Sequence, residues 1–354
     1  MASPVQRLAR AAVYGARQGP RLAWYLGHGM AMERLSKQAR EAGVQKREKP
    51  QAEGPVPSTN RINADFARLM RRDFENVEAG HYPVPIDHDG SLPQILRRSR
   101  LFFEDLPEVN RRREENANSE VFTEEVKGKR PRYYLQNFHF QTGGWMSEDS
   151  AERYDTQVEV LFKGTANAMR RMAIPPIRDW IAGRDQRRLS LLDVACGTGR
   201  FIDQLKQALP RLPMIGLDMS EPYAAETRRH LKRWSWVDVV VCNGEAMPFA
   251  TGSRDLVTSI YMFHELPPKV RRIVFTEMAR VLRPGGRMVI VDSLQRGDIA
   301  DYDGLLELFP QNFHEPYYGS YLDEDFGKMA KAAGVTFVSA EPAFVSKVMV
   351  FDKA

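Results

Sequence analysis

The chain has 354 residues, 43% of them hydrophobic and 27% charged, ordinary proportions for a globular protein with room for one large domain or two modest ones. It lacks the run of about 18 apolar residues that a membrane-spanning helix needs, and its two cysteines, Cys196 and Cys242, rule out a disulfide framework or a four-cysteine zinc site. The net charge of +5 is concentrated at the start, where residues 1–60 hold ten Lys/Arg against four Glu; the near-neutral remainder argues against a body-wide nucleic-acid footprint.

Residues 1–42 read as a basic amphipathic helical arm with interruptions. Arg7, Arg10, Arg17 and Arg21 alternate with Leu8, Tyr14, Leu22 and Trp24, and no acidic residue precedes Glu33. Such a segment suits a surface-seeking helix that meets a membrane or a partner. It equally suits an organelle transit peptide, or a helix packed on its own protein. Residues 43–60 are rich in Pro, Gly, Lys and Glu, which predicts a flexible linker. Residues 61–150 form a helical and aromatic cap region: Phe66, Leu69 and Met70 mark one helix, and Ile95 to Phe103 a second. Tyr133, Tyr134, Phe138, Phe140 and Trp145 then crowd together before the Gly143-Gly144 turn.

From residue 151 to 354 the pattern is regular. Val158, Leu161, Phe162, Thr165, Met169 and Met172 predict a helix that Pro175-Pro176 stops. Apolar strands are expected at Leu189–Ala195, Met214–Asp218, Val237–Cys242, Leu256–Met262 and Arg287–Asp292. Helices are expected between them, near 199–209, 221–234 and 268–282. Continuous apolar strands between amphipathic helices indicate an α/β fold with a parallel sheet covered on both faces. Two last strands, 335–340 and 343–351, are separated by Glu341-Pro342 and must run antiparallel.

The chemistry gathers at the carboxyl ends of these strands, where open α/β sheets bind ligands. The first strand runs into Asp193, Ala195, Gly197, Thr198 and Gly199, a tight turn into a helix. A dinucleotide fingerprint needs a third small residue after the glycines. Ile202 stands there, and Asp193 would repel a diphosphate while attracting an ammonium or a sulfonium. Asp218 and Met219 end the second strand, with Asp218 suited to accept hydrogen bonds from two ribose hydroxyls. After the third strand, Asn243, Gly244 and Glu245 lie within reach of an adenine ring. Past the fourth strand come Tyr261, His264 and Glu265; His264 and Glu265 are either a general acid–base pair or helix-capping groups. Trp145, His314, Tyr317, Tyr318 and Tyr321 are the expected substrate contacts, with core packing as the alternative. No metal site is expected.

In this order, the segments resemble a class I S-adenosylmethionine-dependent methyltransferase of the subgroup similar to ubiquinone/menaquinone C-methyltransferases. The resemblance covers roughly residues 151–354. It rests on D-x-x-C-G-x-G at Asp193–Gly199, on Asp218, on N-G-E-A-M-P-F at Asn243–Phe249, on Arg254-Asp255-Leu256-Val257, and on Leu282-Arg283-Pro284-Gly285-Gly286. It implies a Rossmann-like, mostly parallel seven-stranded sheet with a C-terminal antiparallel hairpin, and S-adenosyl-L-methionine as cofactor. The Asp193–Gly199 loop would hold the methionine part, Asp218 the ribose and the Asn243 region the adenine. Asn243 departs from the usual Asp, and Arg254 from the usual aromatic.

The reading that follows is methyl transfer to a small-molecule acceptor, hydrophobic or lipid-linked. The alternatives are a non-catalytic cofactor-binding regulator, an RNA or protein methyltransferase, and a nicotinamide dehydrogenase, which Ile202 weakens. The cysteine content fits a reducing compartment, the cytoplasm, with membrane contact through the arm or organelle import as variants. No nucleic-acid partner is expected.

Overall fold

Neighbouring residues of each strand point to opposite faces, and here both faces are apolar. In β1 (Leu191–Val194), Leu191 enters one core and Leu192 the other. The same alternation runs through Met288, Val289, Ile290 and Val291 and through Val348, Met349, Val350 and Phe351. The structure, a computed structural model, describes residues 3–43, 50–87 and 89–354.

In it, β1, β2 (Met214–Asp218), β3 (Val237–Val241), β4 (Arg254–Ile260) and β5 (Leu282–Ser293) run parallel, and β6 (Thr336–Ala343) and β7 (Ser346–Asp352) close the edge antiparallel. The order is β3-β2-β1-β4-β5-β7-β6. It reverses between β1 and β4, so a ligand crevice opens at their carboxyl ends.

Helices α7 (Arg200–Ala208) and α8 (Glu221–Leu231) cover one face, joined there by α5 (Ala166–Arg171) and α6 (Ile174–Ile181); α9 (Pro268–Val281) and α12 (Phe326–Ala332) cover the other. Between β5 and α12 lie α10 (Asp303–Asn312) and α11 (Tyr318–Leu322). Ahead of the sheet come α1 (Pro4–Glu41), α2 (Thr59–Glu78), α3 (Leu92–Glu115) and α4 (Glu148–Leu161). Residues 116–147 contain only turns and short 3-10 segments and carry the aromatic cluster.

Four expectations are corrected. Pro175-Pro176 do not stop a helix: they occupy the first turn of α6, where a missing N–H costs nothing, and turns break the preceding run into α4 and α5. The final hairpin turns at Phe344-Val345, and Pro342 sits within β6, an edge strand that tolerates proline. The linker is fixed over part of its length: Glu307 accepts the Glu53 and Gly54 N–H groups at 3.0 and 2.9 Å, and Gly304 N–H donates to the Pro55 carbonyl at 2.8 Å. Ser58 already caps α2, while residues 44–49 of that stretch lie outside the described residues.

The arm is the fourth, corrected only in its interruptions, since a helix packed on its own protein was among its expected forms. It is one helix, with Pro20 inside it, and it lies against the body through buried Tyr14, Gln18, Arg21, Tyr25 and His28. Arg7 pairs with Glu78 and Arg17 donates to the Val84 carbonyl while both stay exposed, and it is Arg21 that turns inward. Among the described residues, no helix is long and apolar enough to cross a membrane.

Candidate functional site

β1 ends at Val194, and the chain bends through three positive φ angles: Ala195 at +58°, Gly197 at +57° and Gly199 at +79°. Glycine adopts this region freely. Gly199 also has no room for a side chain, because a Cβ there would meet the Thr227 methyl at 2.9 Å. Asp218, at the end of β2, holds the bend: its Oδ2 accepts the Gly197 N–H at 2.9 Å and its Oδ1 the Ser220 N–H at 2.8 Å. Asp193 accepts the Thr258 hydroxyl at 2.7 Å. Burial pushes the Asp218 carboxyl up to about 6, against the pull of its N–H donors. Burial, only partly offset by Thr258, carries Asp193 up to about 7. Among the described residues neither carboxylate is paired with a basic side chain.

These two carboxylates line a cavity of about 150 Å³ at the switch point. Ala195, Gly197, Thr198, Met219, Asn243, Gly244, Tyr261 and Glu265 also border it. The cap supplies the roof, with Tyr133, Tyr134, Phe138 and Trp145. Trp145 is fixed by stacking on Phe138 at 5.7 Å and by edge contacts with Tyr154 and Tyr223. The Ser220 hydroxyl donates to its carbonyl, joining roof to sheet.

Some side chains are already engaged. The Thr198 hydroxyl donates to Asp155 at 2.8 Å. The Asn243 carbonyl oxygen accepts the Glu245 N–H at 2.9 Å and its amide donates to the Glu245 carboxylate, which also accepts the Tyr133 hydroxyl at 2.8 Å. Asn243 and Glu245 therefore brace each other and the cap, and Asn243 keeps one carbonyl lone pair free of these bonds.

A second cavity, of about 320 Å³, adjoins the first; Tyr154, Tyr261 and Glu265 border both. Its walls are mainly apolar, with Val158, Leu161 and Phe162 on one side and Leu305, Phe309 and Phe313 on the other. The polar groups that reach it include His139, His264, Glu265 and Ser293. His264 Nδ1 lies 2.6 Å from Asp292 Oδ1. Asp292 itself is buried at the end of β5 and accepts the Phe263 and Ser293 N–H groups at 2.7 and 2.8 Å. Burial alone would lower the His264 pKa, but the Asp292 carboxylate overrides it and holds the ring up at about 9. His139 behaves alike: Glu315 and Glu265 outweigh burial and raise it to about 10.

The structure thus brings His264, Glu265 and Tyr318 to the second cavity and Trp145 to the first. Three expected substrate contacts stand outside both. His314 is held by Gln136 at 2.8 Å and leans on Phe140. Tyr317 accepts a hydrogen bond from Gln136 at 3.0 Å. Tyr321 is fully buried and donates to the Ser293 carbonyl. Sequence reasoning missed His139, Asp292 and Glu315. The position of Asp292 at the carboxyl end of a parallel strand was a usable signal for it. Nothing local marked the other two, which meet only because His139 N–H bonds the His314 carbonyl across 175 residues.

Residues 191–286 match the Methyltransferase domain family. A demethylmenaquinone methyltransferase of Beutenbergia cavernae is 31% identical over 188 residues, covering 52% of this chain and 71% of that protein. One of Lactococcus lactis is 34% identical over 131 residues, 36% of this chain and 51% of that protein. A protein named probable tRNA methyltransferase 9B of Mus musculus is 30% identical over 41% of this chain and 31% of its own length. The chain spans about half the length of the Lactococcus lactis relative and less than three quarters of the Beutenbergia cavernae one. Among solved structures, the PH0226 protein of Pyrococcus horikoshii is similar with a TM-score of 0.41, at 21% identity, over 60% of this chain and 96% of that one.

Proposed function

The chain belongs to the class I S-adenosylmethionine-dependent methyltransferases, in the group similar to the ubiquinone/menaquinone C-methyltransferases, and from that premise we propose that it methylates a small, largely apolar acceptor held in the second cavity. The carrying observation is the shared wall. Tyr154, Tyr261 and Glu265 face both cavities, so ligands in the two would meet there.

The first cavity fits the family's cofactor. Asp193 and Asp218 are buried carboxylates without a cationic partner among the described residues, and each gains from a ligand that brings positive charge or hydroxyl donors. Asp193 and the Ala195–Gly199 bend would hold the amino-acid part, Asp218 the ribose, and Met219, Asn243 and Gly244 the base. S-adenosylmethionine, when bound, supplies a methyl carbon made electrophilic by its sulfonium. The protein's task is then to align an acceptor and exclude water. Tyr133, Tyr134 and Trp145 close the roof. His264, oriented through Nδ1 by Asp292, presents Nε2 to hold the acceptor's polar atom and exchange its proton.

The apolar second cavity favours a small planar or aliphatic acceptor over a polynucleotide, and a quinone-like or lipid-linked compound is the class it suits best. Incubation of the full chain with methyl-labelled S-adenosylmethionine and a small-molecule extract tests this. Label in an organic-soluble product, with adenosylhomocysteine formed in equal amount, is expected. Turnover confined to RNA or protein fractions, or no adenosylhomocysteine binding at all, would overturn it.

A further inference from the structure

His139, Glu265 and Glu315 come from three separate stretches of the chain, yet their ligand atoms all lie within 4.8 Å of one another. Glu315 is 3% exposed. Among the described residues, no aligned hydrogen-bond donor reaches either of its carboxylate oxygens, and His139 Nε2 lies 2.8 Å from Oε1 as an ion-pair contact. Glu265 Oε1 lies 3.6 Å from the same nitrogen. A buried carboxylate with no aligned donor is costly unless something else satisfies it.

His264 and Asp292 form a neutral pair beside the cluster when the imidazole is protonated. With both glutamates ionised, a protonated His139 offsets only one of them, and burial works against the other charge by raising the Glu265 pKa. A divalent cation with neutral His139 and both glutamates ionised brings the cluster to zero. One imidazole nitrogen and two carboxylate oxygens are a donor set suited to zinc, manganese or ferrous iron rather than to a soft metal. The neighbouring pair fits as well: Asp292 fixes the His264 ring orientation, and His264 Nε2 lies 3.9 Å from Glu265 Oε1.

We propose that His139, Glu265 and Glu315 bind a divalent transition-metal cation at the wall of the second cavity, with an open position that takes an oxygen of the acceptor. His139 and Glu265 both border that cavity. The backbone invests strain there: His139 and Phe140 hold consecutive φ angles of +55° and +57°, and it is this bend that presents the imidazole. The acceptor class narrows to compounds with a phenolic, enolic or carboxylate oxygen next to the methylated atom. This last step rests on the cavity being the acceptor's, as proposed above; the cation site does not.

The test uses the full chain, stripped with a chelator and titrated calorimetrically with zinc or manganese, and separately with adenosylhomocysteine. One equivalent of cation per chain is expected. Glu315→Gln and His139→Gln are each expected to weaken it at least about tenfold while leaving adenosylhomocysteine affinity unchanged. Cobalt should give a visible ligand-field spectrum in the native chain and none in Glu315→Gln. No stoichiometric cation on the native chain, or native-like binding by folded Glu315→Gln, overturns the site. Should either variant fail to fold, the native stoichiometry and cobalt spectrum still decide. Cation binding without adenosylhomocysteine binding would instead remove the methyltransferase reading and leave the metal site standing.

Discussion

Ile202 packs directly over Gly216: a Cβ built on Gly216 would lie 2.9 Å from Ile202 Cδ1 and 2.8 Å from Cys196 Sγ. The bulky residue that breaks the dinucleotide pattern in α7 is accommodated by a missing side chain in β2. Gly216→Ala therefore overpacks a core whose Ile202 is fully buried. A cost of about 1–3 kcal/mol is expected, read as a lower Tm. An unchanged Tm would show that the bend has slack which the packing does not display.

This pairing explains what could and could not be read from the sequence. The sheet was legible because both faces of each strand are buried, so apolar runs and amphipathic helices alternated plainly. β2 agrees with its expected bounds, Met214–Asp218, to the residue. The bend was legible because glycines mark it and because Asp193 and Asp218 sit at fixed places relative to two strands. What long-range packing decides was not legible. Thr198 turns to Asp155 on α4, and Tyr133 reaches Glu245 from the cap; neither contact has a local signal. The acceptor side suffered most, since its walls come from α2, α4, α10 and the hairpin turn, and since one aromatic looks like another until Tyr318 faces a cavity and Tyr321 a core.

Asp218 has two duties, holding the bend and offering lone pairs to the ligand. Asp218→Ala is expected to abolish measurable adenosylhomocysteine binding by calorimetry. It also leaves the Gly197 and Ser220 N–H groups without their acceptor, so a Tm loss of order 1–3 kcal/mol in stability accompanies it. Retained affinity would show that the sugar is held elsewhere.

The same pocket makes cofactor binding depend on pH. A buried carboxylate whose folded pKa is raised binds more protons folded than unfolded, so stability falls as pH climbs from the unfolded value near 4 through the folded one. For Asp193 that window ends at about 7 and for Asp218 at about 6. The ligand-free protein should therefore lose Tm between pH 5 and pH 7.5 from these two groups. A cationic ligand favours the ionised carboxylates, so the Tm gain from S-adenosylmethionine should grow over the same range. Asp193→Asn should flatten that growth. A ligand-induced shift equal at pH 5.5 and 7.5 would contradict the assignment.

His264 borders the second cavity and not the first, which separates binding from chemistry. His264→Ala is expected to keep adenosylhomocysteine affinity and to lower kcat by roughly 10²–10⁴. Asp292→Asn keeps the ring but removes the anion that orients it. It should lower kcat with little change in KM for the cofactor. Full activity in both variants would make the pair structural.

The first helix offers the sharpest contrast between sequence and structure. Arg21 is buried, with its guanidinium 2.5 Å from Glu159, 3.0 Å from Asp89 and 2.6 Å from the Gly164 carbonyl. Glu159 in turn accepts the Ala166 and Asn167 N–H groups at the start of α5, so the network runs from α1 into the sheet-covering helices. Removing one partner of such a buried pair costs about 3–5 kcal/mol, because the acids stay behind. Arg21→Ala should therefore lower Tm strongly, toward the small end of that range, since Arg170 also serves Glu159 and Arg200 also serves Asp89. Arg10→Ala, on the exposed side of the same helix, should stay within about 0.5 kcal/mol. A detachable arm would predict equal, negligible effects. A large difference between the two arginines instead makes α1 part of the folded body, and any outward role for it must then use only its exposed face.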